Sequence, residues 1–174
     1  MDYAELFHSM HPDFFQAEGI RAMPGDWVFT ELAMDLRENG PHMTPSVPGI
    51  AYGEYHGAIE ALRDAVRQVD EDWVQYFVEG DRYYCAFDGD QIVAFCCLSD
   101  MGWVQGLHIG GPGCVGTIPA YRERGIGLEM VRLATETLRQ DGFDLSWIHY
   151  THLARWYMKL GYQPVLRWNS GGLL

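Results

Sequence analysis

The sequence predicts one α/β or α+β domain with a central mixed sheet, for three reasons. The chain has 174 residues, of which 48% are hydrophobic, enough to build a core without disulfides or structural metals. Segments with strand and helix patterns follow one another from residue 50 onward, which is typical of a mixed sheet flanked by helices. No apolar run approaches the roughly 20 residues that span a bilayer, so a membrane protein is not expected.

The first part of the chain has the least regular pattern. The stretch WVFTELAMDL, residues 27–36, satisfies both the helical and the strand period of apolar residues, and the pattern does not decide between them. Residues 38–49 hold three prolines and two glycines, which predicts a loop. The first residues carry acids and no basic segment, so a secretory signal is not expected.

The middle of the chain predicts a strand, two helices and a hairpin. A short strand at 50–55 precedes an amphipathic helix, and Asp70 is placed to cap a second short helix at 71–77. The strands at 82–87 and 91–99 are joined by Asp-Gly-Asp, a strong hairpin signal. The buried face of the first helix is predicted to hold Ile59, Leu62, Val66 and Val69.

The remaining residues predict three strands and two helices. After a glycine-rich approach, a strand at 114–118 leads into the longest helix, which begins at Gly125 and ends near Gln140. Gly142 marks that end, because a glycine past the last turn readily adopts a left-handed backbone. The expected order is completed by a strand at 145–150, a helix at 151–160 and a strand at 162–168.

The start of the long helix is the most informative segment, because it is intrinsically weak. Each of its two glycines costs a helix about 1 kcal/mol, and two arginines stand where the helix dipole favours negative charge. The free N–H groups of a helix start bind phosphate well, and hydrogen bonds to charged groups are worth about 1.5–3 kcal/mol each. We therefore interpret Arg122, Arg124, Gly125 and Gly127 as a phosphate cradle. Spacing alone also allows a simple glycine turn beside solvated arginines.

A second glycine pattern, GPGCVG at residues 111–116, has the G-x-G-x-x-G spacing of dinucleotide sites without their context. Such a site follows a strand and opens a helix, whereas this one runs into TIPAY, where Pro119 and strand-like residues argue against a helix. We interpret these glycines as a bulge or a place of close approach.

Two motifs together resemble the GNAT superfamily of acyl-CoA-dependent N-acetyltransferases. Arg122, Gly125 and Gly127 match its signature Q/R-x-x-G-x-G/A, and ARWYMKLGY resembles its A-x-x-Y-x-K-x-G-F/Y segment, with Tyr157 at the tyrosine. The resemblance implies a mostly antiparallel twisted sheet flanked by helices, with strands four and five splayed apart. It also implies an acetyltransferase domain at 48–174, with residues 1–47 as an extension packed on it.

The resemblance further implies acetyl-CoA as cosubstrate and no metal. The pantetheine amides would pair with the backbone of Val115, Thr117 and Ile118. The pyrophosphate would meet the N–H groups of Arg122, Glu123, Arg124, Gly125, Ile126, Gly127 and Leu128.

The implied reaction is attack of a primary amine on the acetyl thioester, with Tyr157 near the sulfur as an acid. Tyr157 also lies on an apolar stripe at helical spacing, which is more typical of a core residue. The base stays open between His149, Glu54, Asp100 and a relay through water. The family often places a base on the fourth strand, but residues 114–118 contain no carboxylate or histidine.

The charge is unevenly distributed along the chain. Residues 1–100 carry 19 of the 24 acidic side chains and five of the 12 basic ones, a balance of −14, whereas residues 101–174 balance at +2. Nucleic-acid binding is not expected, since phosphate contacts need a basic surface. The acidic part would favour a cationic acceptor such as a polyamine, aminoglycoside, amino sugar or lysine side chain, although solubility explains the acidity equally well.

The remaining expectations concern metals, compartment and assembly. Four cysteines in strand-like runs are expected to be reduced core residues of a cytoplasmic protein. His149 and His152 form an H-x-x-H pair without an evident third ligand, so zinc is not expected. An exposed sheet edge would allow a homodimer. The alternative functions are a GNAT-fold module that binds acyl-CoA without turnover, and an interaction domain that does not bind CoA.

Overall fold

The computed structural model describes residues 1–174 as one mixed sheet covered by helices on both faces. The eight strands are β1 (Phe29–Asp35), β2 (Ala51–Glu54), β3 (Tyr83–Asp88), β4 (Gln91–Val104), β5 (Leu107–Thr117), β6 (Leu145–Thr151), β7 (Gln163–Asn169) and β8 (Gly172–Leu173). The helices are α1 (Tyr3–Met10), α2 (Glu18–Arg21), α3 (Ile59–Arg67), α4 (Ile126–Gln140) and α5 (Ala154–Met158). Three 3₁₀ turns lie at Phe14–Gln16, Glu71–Tyr76 and Pro119–Tyr121. None of the helices combines the length and the hydropathy of a transmembrane span.

The strand order is β2-β3-β4-β5-β6-β1-β7-β8. Every neighbouring pair is antiparallel except β5 and β6, which confirms the predicted mixed, mostly antiparallel sheet. The Asp-Gly-Asp hairpin joins β3 and β4, with Asp88 opposite Gln91. Asp70 caps the turn at Glu71–Tyr76 by accepting a bond from Asp72 N at 2.9 Å.

The ambiguous stretch at 27–36 contains strand β1, and this strand lies inside the sheet. It pairs with β6 on one side and with β7 on the other. Leu32 and Met34 face one core and Ala33 faces the other, so burial on both faces explains why the apolar pattern did not select one period. The segment expected to be an extension packed on the domain therefore supplies an interior strand.

The hairpin of β4 and β5 is longer than the sequence predicts. The strand assigned to 91–99 continues to Val104, and the strand assigned to 114–118 begins at Leu107. Gln105 and Gly106 join them with φ of +50° and +79°, as in a two-residue turn with positive φ at both positions. The glycine-rich approach predicted before residue 114 therefore belongs to β5, and its glycines lie within a crowded strand. A Cβ on Gly111, for example, would lie 2.0 Å from Trp147 O.

The two faces of the sheet carry separate cores. Helix α4 packs on one face with a cluster that includes Leu32, Cys96 and Met130. Helix α3 covers the other face at β3 and β4, while α1 covers it at β1, β5 and β6. The strands β5 and β6 pair only at Ile109 with Leu145 and at Gly110 with Ser146. Beyond these pairs β5 and β6, which are the fourth and fifth strands of the predicted order from residue 50, diverge as predicted.

Candidate active site

The divergence of β5 and β6 creates a cleft at the start of α4, which we call the α4 cleft. It encloses about 350 Å³ between the end of β5, the start of α4 and helix α5. Eight residues that the resemblance assigns to CoA line it, namely Val115, Thr117, Arg122, Glu123, Gly125, Ile126, Gly127 and Leu128. Two others do not: Ile118 is buried in the α4 core, and the Arg124 side chain bonds Ala120 O at 2.9 Å.

The two positions at the start of α4 require glycine for different reasons. Gly125 is the N-cap with a left-handed φ of +82°, a conformation that strains any residue with a side chain. A Cβ on Gly127 would lie 2.9 Å from Thr117 Oγ1, so its absence lets α4 approach β5. No side chain caps the helix start, which leaves its first N–H groups available to an anion.

Four of the six basic side chains that lack an acidic partner lie around this cleft, and the other two are Arg21 and Arg167. Six of the 12 basic side chains pair with a carboxylate, namely Arg37, Arg63, Arg67, Arg82, Arg132 and Arg139. Arg122 and Arg124 have no acidic partner, and the Arg122 side chain instead donates to Thr117 O at 3.0 Å. Arg155 and Lys159 also have no acidic partner and line a hollow that borders the α4 cleft through Leu153 and Trp156. Unpaired cations in a chain of net charge −12 favour a polyanionic ligand here.

Tyr157 projects from α5 into the α4 cleft and is 6% exposed. Its hydroxyl has no hydrogen-bond partner within the protein, and the oxygen keeps some exposure to the cleft. Burial raises the pKa of Tyr157 well above its ordinary value of 10, so the hydroxyl stays protonated at neutral pH. Tyr157 therefore belongs to the core and also lines the cleft.

His149 lies near the end of β6 and faces the opposite side of the gap. It lines a second cleft of about 570 Å³, which we call the His149 cleft, together with Cys114 of β5. The β4–β5 register shifts at Cys114 and Val115, and Cys114 has φ of +46°, as in a β-bulge. Val115 lines the α4 cleft while Cys114 lines the His149 cleft, so the bulge is where the two clefts meet.

A buried carboxylate holds the His149 ring. Glu31 of β1 is 0% exposed, and its Oε2 lies 3.0 Å from His149 Nδ1. Trp147, Tyr150 and Trp168 donate the other three bonds to this carboxylate. Burial acts to raise the pKa of Glu31, but the bonds from His149 and the two indoles outweigh it and place the pKa below its usual range.

The ring of His11 covers His149 from the other side. The two imidazoles stack at 4.1 Å between centroids, with an interplanar angle of 16°. His11 Nε2 is buried without a partner. Burial, together with the nearby His149, lowers the pKa of His11 to about 4.

We expect His11→Phe to reduce the acid sensitivity of the fold. His11 is neutral when folded and takes a proton when unfolded below its ordinary pKa of 6.5, so stability falls as pH drops from 6.5 to about 4. The full difference corresponds to about 3 kcal/mol, which partial exposure of the ring reduces to about 1–2 kcal/mol. Urea unfolding at pH 7.5 and pH 4 measures this loss. Equal losses in wild type and variant would contradict the assignment.

The other candidate bases lie elsewhere. Glu54 pairs with Arg82, and Asp100 accepts bonds from Gly102 N and bonds the His108 ring. His152 packs on Phe29 with ring centroids 4.2 Å apart, so it does not join His149 at a common site. No group of three or more His, Cys, Asp or Glu side chains is arranged to hold a metal ion.

The His149 cleft also contains features that sequence reasoning missed. Asp70, Asp72, Trp73 and Tyr76 line it from the 3₁₀ turn and its cap. Glu31 was missed as well, although a lone acid in the apolar stretch FTELAM is the signal that could have found it. Its partners could not be found, because they come from β6 and β7, more than 100 residues later.

Comparisons with known proteins give one family match and several similar folds. Residues 79–164 match the family model of the acetyltransferase (GNAT) domain. The fold is similar to a GCN5-related glucosamine N-acetyltransferase region of a fungal multi-domain GH3 β-N-acetylglucosaminidase, with 22% identity, a TM-score of 0.69, and coverage of 82% of this chain and 20% of the other. It is also similar to GCN5-related N-acetyltransferases from Sphaerobacter thermophilus (19% identity, TM-score 0.63, 80% and 49% of the two chains) and Kribbella flavida (19%, 0.58, 80% and 55%).

These solved structures establish the fold alone at such identities. The chain spans about a fifth of the fungal protein and about half of the other two. A comparison with proteins of curated function gives no match.

Proposed function

Because the chain belongs to the GNAT superfamily of acetyltransferases, we propose that it transfers an acetyl group from acetyl-CoA to a primary amine in a ternary complex. The observation that carries this proposal is the meeting of two clefts at the bulge of β5. One cleft has an uncapped helix start with unpaired cations, and the other has a histidine held by a buried carboxylate.

The α4 cleft suits the cosubstrate in charge, because its helix start is uncapped and its cations have no acidic partner. The N–H groups of residues 122–128 and the side chain of Arg122 would hold the pyrophosphate, helped by the missing Cβ atoms of Gly125 and Gly127. Backbone groups of Val115 and Thr117, which lie on β5 beyond its last pair with β6 and line the α4 cleft, would meet the pantetheine. Acetyl-CoA, when bound, supplies a thioester whose acetyl group can pass to an amine.

Side chains near the bulge where the two clefts meet would accept and donate the protons of the reaction. A lysine-like amine has a pKa near 10.4, so its neutral form costs about 4.6 kcal/mol at pH 7. His149 Nε2 would accept the proton that the attacking amine loses. Tyr157 Oη would give a proton to the departing sulfur and recover one from solvent, a contribution of about 10²–10⁴ in rate. We therefore propose His149 as the base among the candidates that the sequence left open.

The acceptor we propose is a cationic amine. Asp70 and Asp72 contribute negative charge to the His149 cleft, and the rings of Trp73, Tyr76 and Tyr150 can contact a cation through their faces. Amino sugars belong in the first screen, since one similar fold is a glucosamine N-acetyltransferase region. The cytoplasmic location and the homodimer stay predictions.

The direct test is thiol release from acetyl-CoA with a panel of polyamines, aminoglycosides, amino sugars and a lysine peptide, beside neutral amines. We expect turnover with at least one cationic amine. Turnover of neutral or anionic amines alone would refute the cationic acceptor. Protection by CoA without any turnover would instead identify a binding module.

We expect Asp72→Asn to raise KM for a cationic amine about threefold with little change in kcat, because an exposed charge pair is worth at most about 1 kcal/mol. Asp90→Asn is the matched control, since Asp90 is an exposed acid in the β3–β4 turn. The effect should shrink in high salt. An equal KM change in both variants would refute a specific role for Asp72.

A further inference from the structure

The buried Glu31 carboxylate has a role toward the His149 ring that it contacts. We infer that Glu31 is a positioning residue that keeps the proton of the neutral His149 ring on Nδ1 and thereby leaves the Nε2 lone pair free for the His149 cleft. The inference rests on the proposed function, in which His149 is the base.

The hydrogen bonds around Glu31 determine this tautomer. Oε2 accepts from Trp147 Nε1 at 2.6 Å and lies 3.0 Å from His149 Nδ1. Oε1 accepts from Trp168 Nε1 at 2.7 Å and from Tyr150 N at 3.0 Å. An ionised carboxylate can only accept, so Nδ1 must carry hydrogen. A neutral imidazole has one N–H, and Nε2 is therefore the acceptor.

The surroundings also fix the orientation of the ring. His11 stacks on it at 4.1 Å, and Phe14 meets it edge-on at 5.3 Å. The titratable and charged groups that face His149 are Glu31 from β1, His11 from the segment after α1, Tyr150 from β6, Cys114 from β5, and Asp70 and Asp72 across the cleft. Glu31 is the one among them that bonds the ring.

A glutamine at position 31 would reverse the tautomer. Its amide NH₂ must replace one of the two oxygens and so meet two former donors. On the Oε1 side these are Tyr150 N and the Trp168 indole, neither of which can become an acceptor. On the Oε2 side only the Trp147 indole is fixed, because His149 can move its proton to Nε2. The amide should therefore adopt the second arrangement and leave Nε2 protonated.

The tautomer can be read without any assay of activity. Long-range ¹H–¹⁵N correlation spectra of ¹⁵N-histidine-labelled protein at pH 8 report which ring nitrogen carries hydrogen. We expect Nδ1–H for His149 in the wild type and Nε2–H in Glu31→Gln. Trp168→Phe is the matched control, since it removes another donor of the same carboxylate and should keep Nδ1–H. A wild-type His149 with Nε2–H, or a Glu31→Gln spectrum like the wild type, would overturn the inference.

The kinetic arm tests the consequence of the tautomer. With an amine that turns over, Glu31→Gln should lower kcat at least tenfold, shift the acid limb of the pH profile, and change the Kd of CoA less than twofold. Trp168→Phe should alter stability more than it alters the pH profile. Unchanged kcat and pH profile in Glu31→Gln would remove the role in the reaction. Absence of turnover in the wild type would instead defeat the proposed function, and the wild-type spectrum still decides the tautomer even if the variant does not fold.

Discussion

Tyr157→Phe should lower kcat at least tenfold and by as much as about 10²–10⁴-fold, while the Kd of acetyl-CoA changes less than twofold. The substitution removes only the hydroxyl oxygen, and that hydroxyl bonds no other protein group. The ring keeps its place in the wall of the α4 cleft beside Trp156. The variant loses the proton donor to the departing sulfur. General acid catalysis by such a donor contributes about 10²–10⁴ to the rate.

Tyr162→Phe provides a matched control. Its ring centroid lies 6.2 Å from that of Tyr157, and its buried hydroxyl bonds Ser146 at 2.7 Å and Thr135 at 2.8 Å. Losing these bonds should cost about 1–3 kcal/mol of stability and leave kcat of the folded protein within about twofold. Tyr157→Phe should show the opposite pattern, with stability kept and kcat lost. Full activity in Tyr157→Phe would remove the acid role.

Gly127→Val should raise the Kd of CoA at least tenfold. Even a Cβ at this position would lie 2.9 Å from Thr117 Oγ1, so a branched side chain must push α4 away from β5. The same side chain would stand beside the N–H groups that we propose hold the pyrophosphate. Losing one hydrogen bond to a charged group, worth about 1.5–3 kcal/mol, already corresponds to at least tenfold in Kd.

Titration calorimetry with CoA measures this change, and Gly19→Val is its control. Gly19 also lies in a helix, but nothing lies within 4 Å of its Cβ position. That variant should bind CoA like the wild type. Unchanged affinity in Gly127→Val would show that the ligand does not approach the start of α4.

Local sequence signals predicted the parts of the fold whose causes are local. The start of α4 at Gly125, the hairpin at Asp88 to Gln91 and the cap at Asp70 each depend on residues adjacent in the chain. Strand β1 could not be resolved, because its neighbours β6 and β7 lie more than 100 residues away. The glycines of β5 were interpreted as a bulge or a place of close approach, but what they approach could not be predicted, since the atoms that crowd Gly111 belong to Trp147 of β6.

The residues of the candidate site also divide into those determined by adjacent sequence and those determined by distant strands. The family resemblance named ten residues in one continuous segment around the helix start, and eight of them line the α4 cleft. The identity of the base was left open, since His149 depends on a carboxylate from β1 and on the His11 ring. The acidic wall of the His149 cleft was anticipated only as an overall charge imbalance, and the fold brings two of those acids to the site.

The most direct test of the central claim is a crystal structure of this protein with acetyl-CoA. We expect the pyrophosphate oxygens about 3 Å from the N–H groups of residues 122–128, and the pantetheine in the gap between β5 and β6. A cosubstrate bound elsewhere, with the start of α4 free of it at saturating concentration, would contradict the account.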